Sequence, residues 1–197
     1  MLFRSPPWDS IVYWAIDLET GGLDTDRSPV IAVGMVPVRG GTIRLRECYR
    51  TLVRPEEGSS ISPGSVQAHQ LVWRDVAEAP PLADVLPEVD RRAREGALLV
   101  HHAGIDVSFL RRDFKRMGIA WPSPRIVDTM QLLVRDARLR DPNLTRDMLA
   151  LDLSGARAAH GLPDHQAHDA LGDAIATAEL FLALRLALGA RTLRDLR

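Results

Sequence analysis

The chain contains 197 residues, of which 46% are hydrophobic and 26% are charged, and its formal net charge is −1. This is an ordinary globular composition, and the length suits one domain with a sizeable core. No apolar run is long enough to span a bilayer, Cys48 is the only cysteine, and residues 1–10 lack the apolar stretch of a secretion signal. The near-zero charge argues against a protein that coats long nucleic acids. We therefore expect a single domain over residues 1–197, with its core at about 11–188, in the cytoplasm and without a membrane partner.

Three antiparallel strands are predicted near the start of the chain. An apolar run opens at Ile11 and continues to Ile16, which indicates a strand entering a core. Residues 30–53 hold two further apolar, β-branched runs, joined by an Arg-Gly-Gly connection at residues 39–41. Two such runs around a glycine-containing connection are typical of a hairpin.

Helices and strands alternate in the rest of the chain. Ser62 as N-cap, followed by Pro63, predicts a short helix over residues 62–71. Pro87 is expected in the first turn of the next helix, which opens at residue 83 or 84. Further strands are predicted at 97–101 and 125–129, and further helices at 105–118, 129–139, about 144–160 and about 169–188. This order predicts an α/β fold with a mixed sheet covered by helices.

Two carboxylates lie at the end of the first predicted strand. Asp17 and Glu19 are two residues apart, and such side chains point to the same face of a strand. Buried carboxylates without partners become protonated, whereas a hard divalent cation such as Mg²⁺ would hold both in their charged form. The alternative is a strand end that has reached solvent, followed by an ordinary glycine-rich turn at residues 20–24. The pair by itself leaves both interpretations open.

Further acids and a histidine lie near the ends of strands and the starts of helices. Asp106 follows a predicted strand, and His168 and Asp173 lie near the beginning of the last helix. Singly, each is typical of a residue that caps a helix or faces solvent. Together with Asp17 and Glu19 they make four carboxylates and one histidine that we expect to converge at one edge of the sheet. Two-metal phosphoryl chemistry requires such a set.

The packing face of the last helix is predicted from its apolar residues. Leu171, Ile175, Ala178 and Leu182 recur at helical spacing. At about 100° per residue, Asp173 is rotated roughly 200° from Leu171. We therefore expect Asp173 to lie off the packing stripe.

Three segments resemble the three exonuclease motifs of the DEDD superfamily, histidine branch. They are AIDLETGGLD at residues 15–24, VHHAGIDVSFL at residues 100–110 and HDALGDA at residues 168–174. Four residues separate His168 from Asp173, as in the histidine branch, whereas the position of the tyrosine in the other branch holds Asp169. The superfamily includes the proofreading epsilon subunit of bacterial DNA polymerase III, and the resemblance extends from about Ile11 to Leu188.

The resemblance implies a ribonuclease H-like fold and hydrolysis of nucleic acid from the 3′ end to nucleoside 5′-monophosphates. It also implies two divalent metal ions, Mg²⁺ with Mn²⁺ as a substitute. By position, Asp17 would bridge both ions and Asp106 would support the second. Glu19 and Asp173 would complete the site of the first ion, and His168 would be the general base.

The resemblance further implies contacts with substrate. Thr20 and Leu23 match positions that contact the terminal nucleotide, with the leucine beside its base. His69 matches a histidine near the substrate in this family, although on sequence alone it is equally typical of a surface helix. The implied partner is a single-stranded nucleic-acid 3′ end, with DNA favoured over RNA.

Three positions depart from the family pattern: His102, Ile105, and Ala32, which falls where many relatives carry glutamate in the second strand. His102 stands where the second motif usually has asparagine, and imidazole cannot present the donor and acceptor pair of an amide. His101 and His102 would point to opposite faces if both continued the strand. Ile105 replaces a common phenylalanine, which we expect to alter packing only. None of the four carboxylates is lost, so an enzyme is the favoured interpretation.

Other functions stay open on sequence alone. An exoribonuclease of the same superfamily would carry the same motifs, because the choice of nucleic acid depends on how the 2′-hydroxyl is treated. A non-catalytic nucleic-acid-binding module is an alternative of another class, against which the intact set of five residues weighs. Epsilon-type subunits carry a C-terminal extension for the polymerase, and this chain ends at residue 197. A stand-alone enzyme is therefore expected over a polymerase-associated one.

Overall fold

The computed structural model describes residues 5–196. Residues 1–4 and residue 197 lie outside this range. The prediction that residues 1–10 contain no secretion signal therefore falls partly outside the described residues. Over the described range, six strands form one sheet. They are β1 (Tyr13–Thr20), β2 (Val30–Arg39), β3 (Thr42–Ile43), β4 (Tyr49–Leu52), β5 (Ala97–Val100) and β6 (Arg125–Asp128).

Helices pack on both faces of the sheet. Between residues 5 and 196 the α-helices are α1 (Pro63–His69), α2 (Trp73–Val76), α3 (Leu82–Ala93), α4 (Ala103–Arg116), α5 (Thr129–Arg140), α6 (Leu153–Ala159) and α7 (Ala170–Ala187). Short 3₁₀ turns lie at Trp8–Ser10, Leu45–Glu47, Arg146–Met148 and Leu193–Leu196. None of the helices in this part of the chain combines the length and the apolar character that crossing a bilayer requires.

The sheet combines antiparallel and parallel pairing. β1 pairs antiparallel with β2 and parallel with β5, and β5 pairs parallel with β6. Both β3 and β4 pair antiparallel with the other edge of β2. The spatial order β3-β2-β1-β5-β6, with β4 also beside β2, confirms the predicted mixed sheet.

The prediction of one continuous third strand is wrong. β3 has two residues, and the turn Leu45–Glu47 separates it from β4. Leu45 is 57% exposed, and residues 44–48 are exposed throughout. These residues have no buried side chain that packs on the sheet, so the strand is interrupted at the exposed Leu45.

The helix predicted at about 144–160 is shorter in the structure, because α6 begins only at Leu153. Asp152 is its N-cap, and its side chain accepts the Gly155 N–H at 2.8 Å. An acidic N-cap satisfies a free N–H group of the first turn and sets the start of a helix. The preceding residues form a loop and the 3₁₀ turn Arg146–Met148.

The predicted position of Pro87 is also wrong. α3 begins at Leu82, so Pro87 lies in its second turn and not in its first. Proline has no N–H for the carbonyl four residues earlier, which belongs to Ala83. Ala83 is exposed, so water can bind this carbonyl and the helix continues.

Apolar side chains form two cores, one on each face of the sheet. On β1, Tyr13 and Ala15 belong to the core under α7, whereas Ile16 belongs to the core under α3 and α4. Side chains alternate along a strand, so Asp17 and Glu19 continue the face of Tyr13 and Ala15. The two acids therefore lie on the side of the sheet that α7 covers.

Gly34 allows the start of α7 to approach the sheet closely. It pairs with Asp17 in the register of β1 and β2. A Cβ at Gly34 would lie 2.2 Å from the carbonyl carbon and oxygen of Ala170. A glycine inside a strand often marks such a close approach of backbone. The first turn of α7 thus rests on the strand beside Asp17, which brings Asp173 to the acids of β1.

Gly34→Ala is expected to lower the free energy of unfolding by about 1–3 kcal/mol, the usual cost of forcing extra atoms into a packed interior. Urea denaturation measures this change. Gly64→Ala is the matched control, because a Cβ there meets nothing within 4 Å, and it should be neutral or stabilising by up to about 1 kcal/mol. Equal stabilities for the two variants would contradict the close packing of α7 on β2.

Candidate active site

The four predicted carboxylates come from three elements. β1 carries Asp17 and Glu19, the first turn of α4 carries Asp106, and the first turn of α7 carries Asp173. Glu19 and Asp173 are each 8% exposed and Asp106 is 5% exposed, while Asp17 is half-buried. β1 continues to Thr20, so the alternative of a strand end that has reached solvent is wrong.

Asp173 lies on the buried face of α7, which corrects the predicted packing stripe. The buried residues of α7 at helical spacing include Ala170, Asp173, Ala174, Thr177, Phe181 and Leu184. Leu171, Ile175 and Leu182 of the predicted stripe are only half-buried. Nearly every side of this helix is apolar, so several stripes fit the period of 3.6 residues. Contact with the sheet decides which stripe is buried.

Asp17, Glu19 and Asp173 fit a divalent cation. Each offers a carboxylate oxygen, and these oxygens all lie within 4.8 Å of one another. Within residues 5–196, Glu19 Oε1 is buried without a hydrogen-bond partner, which is costly unless another group satisfies it. Carboxylate oxygens are the ligands that hard cations prefer. The chemistry of this group therefore suits the metal that the sequence implies.

Burial and mutual repulsion raise the pKa values of Asp17, Glu19 and Asp106. Burial, followed by repulsion from Asp173, raises the pKa of Glu19 to about 8. Burial raises the pKa of Asp106 to about 7, with a hydrogen bond from the Leu18 backbone opposing it. Burial and the charges of Asp106 and Asp173 raise the pKa of Asp17 well above its ordinary value. Without a cation, this cluster therefore retains protons near neutral pH.

One cleft of about 420 Å³ is lined by all eight residues that the sequence predicts for the site. They are Asp17, Glu19, Thr20, Leu23, His69, Asp106, His168 and Asp173. Ile105 also lines this cleft, and its side chain is 38% exposed, so it is accessible from the cleft. Leu23 is 88% exposed. The cleft thus presents two accessible apolar side chains beside the acids.

His69 is a buried residue, and the alternative of a surface histidine is wrong. It is 8% exposed, and its Nδ1 accepts the Leu71 N–H at 3.0 Å. The ring proton therefore resides on Nε2, which lies 3.3 Å from the Thr20 carbonyl oxygen. Burial lowers the pKa of His69. The neutral ring ties α1 to the end of β1 beside the cleft.

Two histidines of the loop before α7 approach Asp173. His168 has a positive φ of 64°, an exposed side chain and a backbone N–H that donates to Asp173 Oδ2 at 2.7 Å. His165, which the sequence did not single out, has its Nε2 at 2.8 Å from Asp173 Oδ1. It lies in an irregular loop, where no periodicity marks a functional position.

The unusual His102 acts through its backbone. It adopts a φ of 71° at the N-cap of α4, a conformation in which asparagine and histidine are both enriched. Asp128 accepts the N–H groups of His102 and Ala103, each at 3.1 Å. His101, and not His102, lines the cleft. The position therefore shapes the start of the helix that carries Asp106, and the amide of an asparagine is not needed for this.

Comparison with known sequences gives the following similarities. The sequence model of a family described as Exonuclease (RNase_T) matches residues 14–181. The chain is 32% identical over 188 residues to a DNA polymerase III subunit epsilon-like protein of Rhodobacter capsulatus, across 95% of this chain and 25% of that protein. It is 32% identical over 168 residues to a PolC-type DNA polymerase III of Thermotoga maritima, across 85% of this chain and 11% of that protein. The chain thus spans a quarter or less of the length of these relatives.

Comparison with solved structures gives several with the same fold, including the following one. E. coli Exonuclease I in complex with a dT13 oligonucleotide has a TM-score of 0.77 and 17% sequence identity, across 91% of this chain and 42% of that chain. At this identity the likeness concerns the fold. The predicted ribonuclease H-like fold is confirmed by it.

The metal-free protein is expected to lose stability as the pH rises from 5 to 8. The folded-state pKa of Glu19, about 8, lies above its ordinary value of 4.5, so between these values the folded state binds more protons than the unfolded state and stability falls with pH. Glu19→Gln should remove this group's share of the dependence, which is on the order of 1 kcal/mol for each pH unit between the two pKa values. Melting temperatures in EDTA measure it, and parallel curves for the two proteins would contradict the raised pKa.

Proposed function

Because the chain belongs to the RNase_T exonuclease family, we propose that it is a metal-dependent 3′–5′ exonuclease. It acts on single-stranded or frayed DNA ends and releases nucleoside 5′-monophosphates. The observation that carries the proposal is the group formed by Asp17, Glu19 and Asp173, whose carboxylate oxygens lie within 4.8 Å of one another. DNA is the proposed substrate because the relatives named above are DNA polymerase III proteins.

The carboxylates would hold two divalent cations, Mg²⁺ or Mn²⁺. Asp17 would contact both ions, Glu19 and Asp173 the first, and Asp106 the second. The position of Asp17 supports this assignment, because Asp106 and Asp173 are both close enough for their charges to raise its pKa. When bound, the cations supply positive charge that stabilises the scissile phosphate and the departing oxygen. They also allow the carboxylates to stay ionised together.

His168 would be the general base that takes a proton from the attacking water. Its ring is exposed and lines the cleft, so it can reach water and release the proton to solvent. Its backbone is held by the carboxylate of Asp173. His168 is therefore hydrogen-bonded to one of the proposed metal ligands without itself being a ligand.

Leu23, Thr20 and His69 would contact the terminal nucleotide. The exposed side chains of Leu23 and Ile105 offer apolar surface to a base and its sugar, and the Thr20 hydroxyl donates to the Gly22 carbonyl at 2.8 Å, which fixes the turn after β1. The cleft of about 420 Å³ has the size of a small-ligand site. This suits the end of one strand and not a duplex.

Two substitutions are expected to separate metal binding from proton transfer. Asp17→Ala and His168→Ala should both lose activity on labelled single-stranded DNA in Mg²⁺, the histidine variant by roughly 10²–10⁴-fold. Only Asp17→Ala should also lose the rise in melting temperature that Mn²⁺ causes by binding the folded state. Asp84→Ala, at an exposed acid of α3, is the control and should match wild type. High activity of Asp17→Ala, or loss of the Mn²⁺ effect in His168→Ala, would contradict the assignment.

Single-stranded 3′ ends are expected to be cut faster than paired blunt ends. Separating a terminal pair costs about 1–2 kcal/mol, which is roughly tenfold in rate, and a net charge of −1 leaves little surplus positive charge to hold a duplex open. Digestion of one labelled sequence as single-stranded DNA, blunt duplex and RNA measures the preference, and circular single-stranded DNA should stay intact. Faster digestion of the blunt duplex than of the single strand, or cleavage of the circular DNA, would contradict the proposal. Faster digestion of RNA would identify an exoribonuclease.

A further inference from the structure

Both oxygens of the Asp173 carboxylate accept hydrogen bonds from the loop before α7. The Nε2 of His165 donates to Oδ1 at 2.8 Å, and the backbone N–H of His168 donates to Oδ2 at 2.7 Å. An ionised carboxylate has about two lone-pair sites on each oxygen. One site on each oxygen thus stays free for a further ligand, so the two bonds orient the carboxylate without blocking it.

The contact between His165 and Asp173 is enclosed by protein. Both side chains are only 11% exposed, whereas the His168 side chain is exposed. A hydrogen bond with little access to water is electrostatically stronger than one at the surface. The ring of His165 also lines the cleft, so this bond forms part of the wall beside the acids.

The loop that presents His165 is anchored at both ends. Arg157 is 2% exposed and donates to the carbonyl oxygens of Pro163 at 2.9 Å and Ala176 at 2.8 Å. These bonds fasten the beginning of the loop to the middle of α7. At the other end, Asp169 is the N-cap of α7 and its side chain accepts a backbone N–H of the first turn. The position of His165 relative to Asp173 is therefore set by the surrounding fold.

We propose that His165 is a positioning residue for the metal site, which orients the Asp173 carboxylate so that it binds a divalent cation together with Asp17 and Glu19. This inference rests on the proposed function, because it takes these acids to be metal ligands. Residues that hydrogen-bond to metal ligands change metal affinity or activity by about 10–100-fold when removed. The carboxylate that His165 orients also holds the backbone of His168, so the metal site and the proposed base are linked through one group.

Three substitutions at His165 test the role of its N–H donor. His165→Gln places an amide nitrogen where Nε2 lies, His165→Asn carries the same amide one methylene shorter, and His165→Met removes the donor. Titration calorimetry measures the Mn²⁺ affinity of each variant, and kcat and KM are measured on a single-stranded oligonucleotide in Mg²⁺. His160→Met is the matched control, because His160 Nε2 lies 3.3 Å from Asp136 Oδ2 in another enclosed His–Asp pair.

The methionine and asparagine variants should bind Mn²⁺ about 10–100-fold more weakly than wild type. They should also lose kcat with little change in KM, because the proposed role of His165 is to orient a metal ligand and not to bind substrate. His165→Gln should recover most of the affinity, and His160→Met should bind Mn²⁺ as wild type does. Circular dichroism establishes that each variant is folded.

Wild-type or tighter Mn²⁺ binding by the methionine and asparagine variants would overturn the role of His165. Equal losses in all three variants would also overturn it, because they would indicate packing and not hydrogen bonding. Should His165→Met fail to fold, the two amide variants, which differ by one methylene, decide the question. An absence of saturable Mn²⁺ binding by the wild-type protein would refute the proposed function, and this inference with it.

Discussion

The fold brings acidic side chains together where β1, α4 and α7 meet. Burial and mutual repulsion raise the pKa values of Asp17, Glu19 and Asp106. Desolvated charge without a partner is unfavourable, so the cluster destabilises the folded protein when no cation is bound. The apolar cores on the two faces of the sheet outweigh this cost. The same repulsion makes a divalent cation a favourable partner, so the proposed metal affinity and the repulsion among the acids have one physical origin.

Residues outside the cluster decide where the acids lie. Gly34 leaves room for the first turn of α7, and Asp128 links the end of β6 to the start of α4 through the N–H groups of His102 and Ala103. The Asp128 carboxylate also caps α5 by accepting the Met130 N–H. A change at either position would move a helix that carries an acid, although neither residue belongs to the proposed metal site.

The histidines that line the cleft differ in the freedom of their rings. His69 and His101 have both ring nitrogens at hydrogen-bond distance from protein groups, and burial lowers the pKa of each. His165 is directed at the carboxylate of Asp173. His168 differs from these three in having an exposed ring. This contrast supports His168 as the group that exchanges a proton with water, since a ring held by two partners is not free to do so.

The order of the elements predicted a mixed sheet, and residue spacing predicted both the shared face of Asp17 and Glu19 and the acids that meet in the cleft. Alternation along a strand and motif spacing are local properties, and they suffice for these conclusions. Tertiary structure decided which stripe of α7 is buried, because nearly every side of that helix is apolar and contact with the sheet selects one. It also decided that His165 meets Asp173, since the partner of a loop residue depends on how the chain returns to the sheet. Gly34 lies within β2, and a glycine inside a strand is a local indication that another backbone approaches closely. Which helix approaches it depends on packing between residues far apart in the chain.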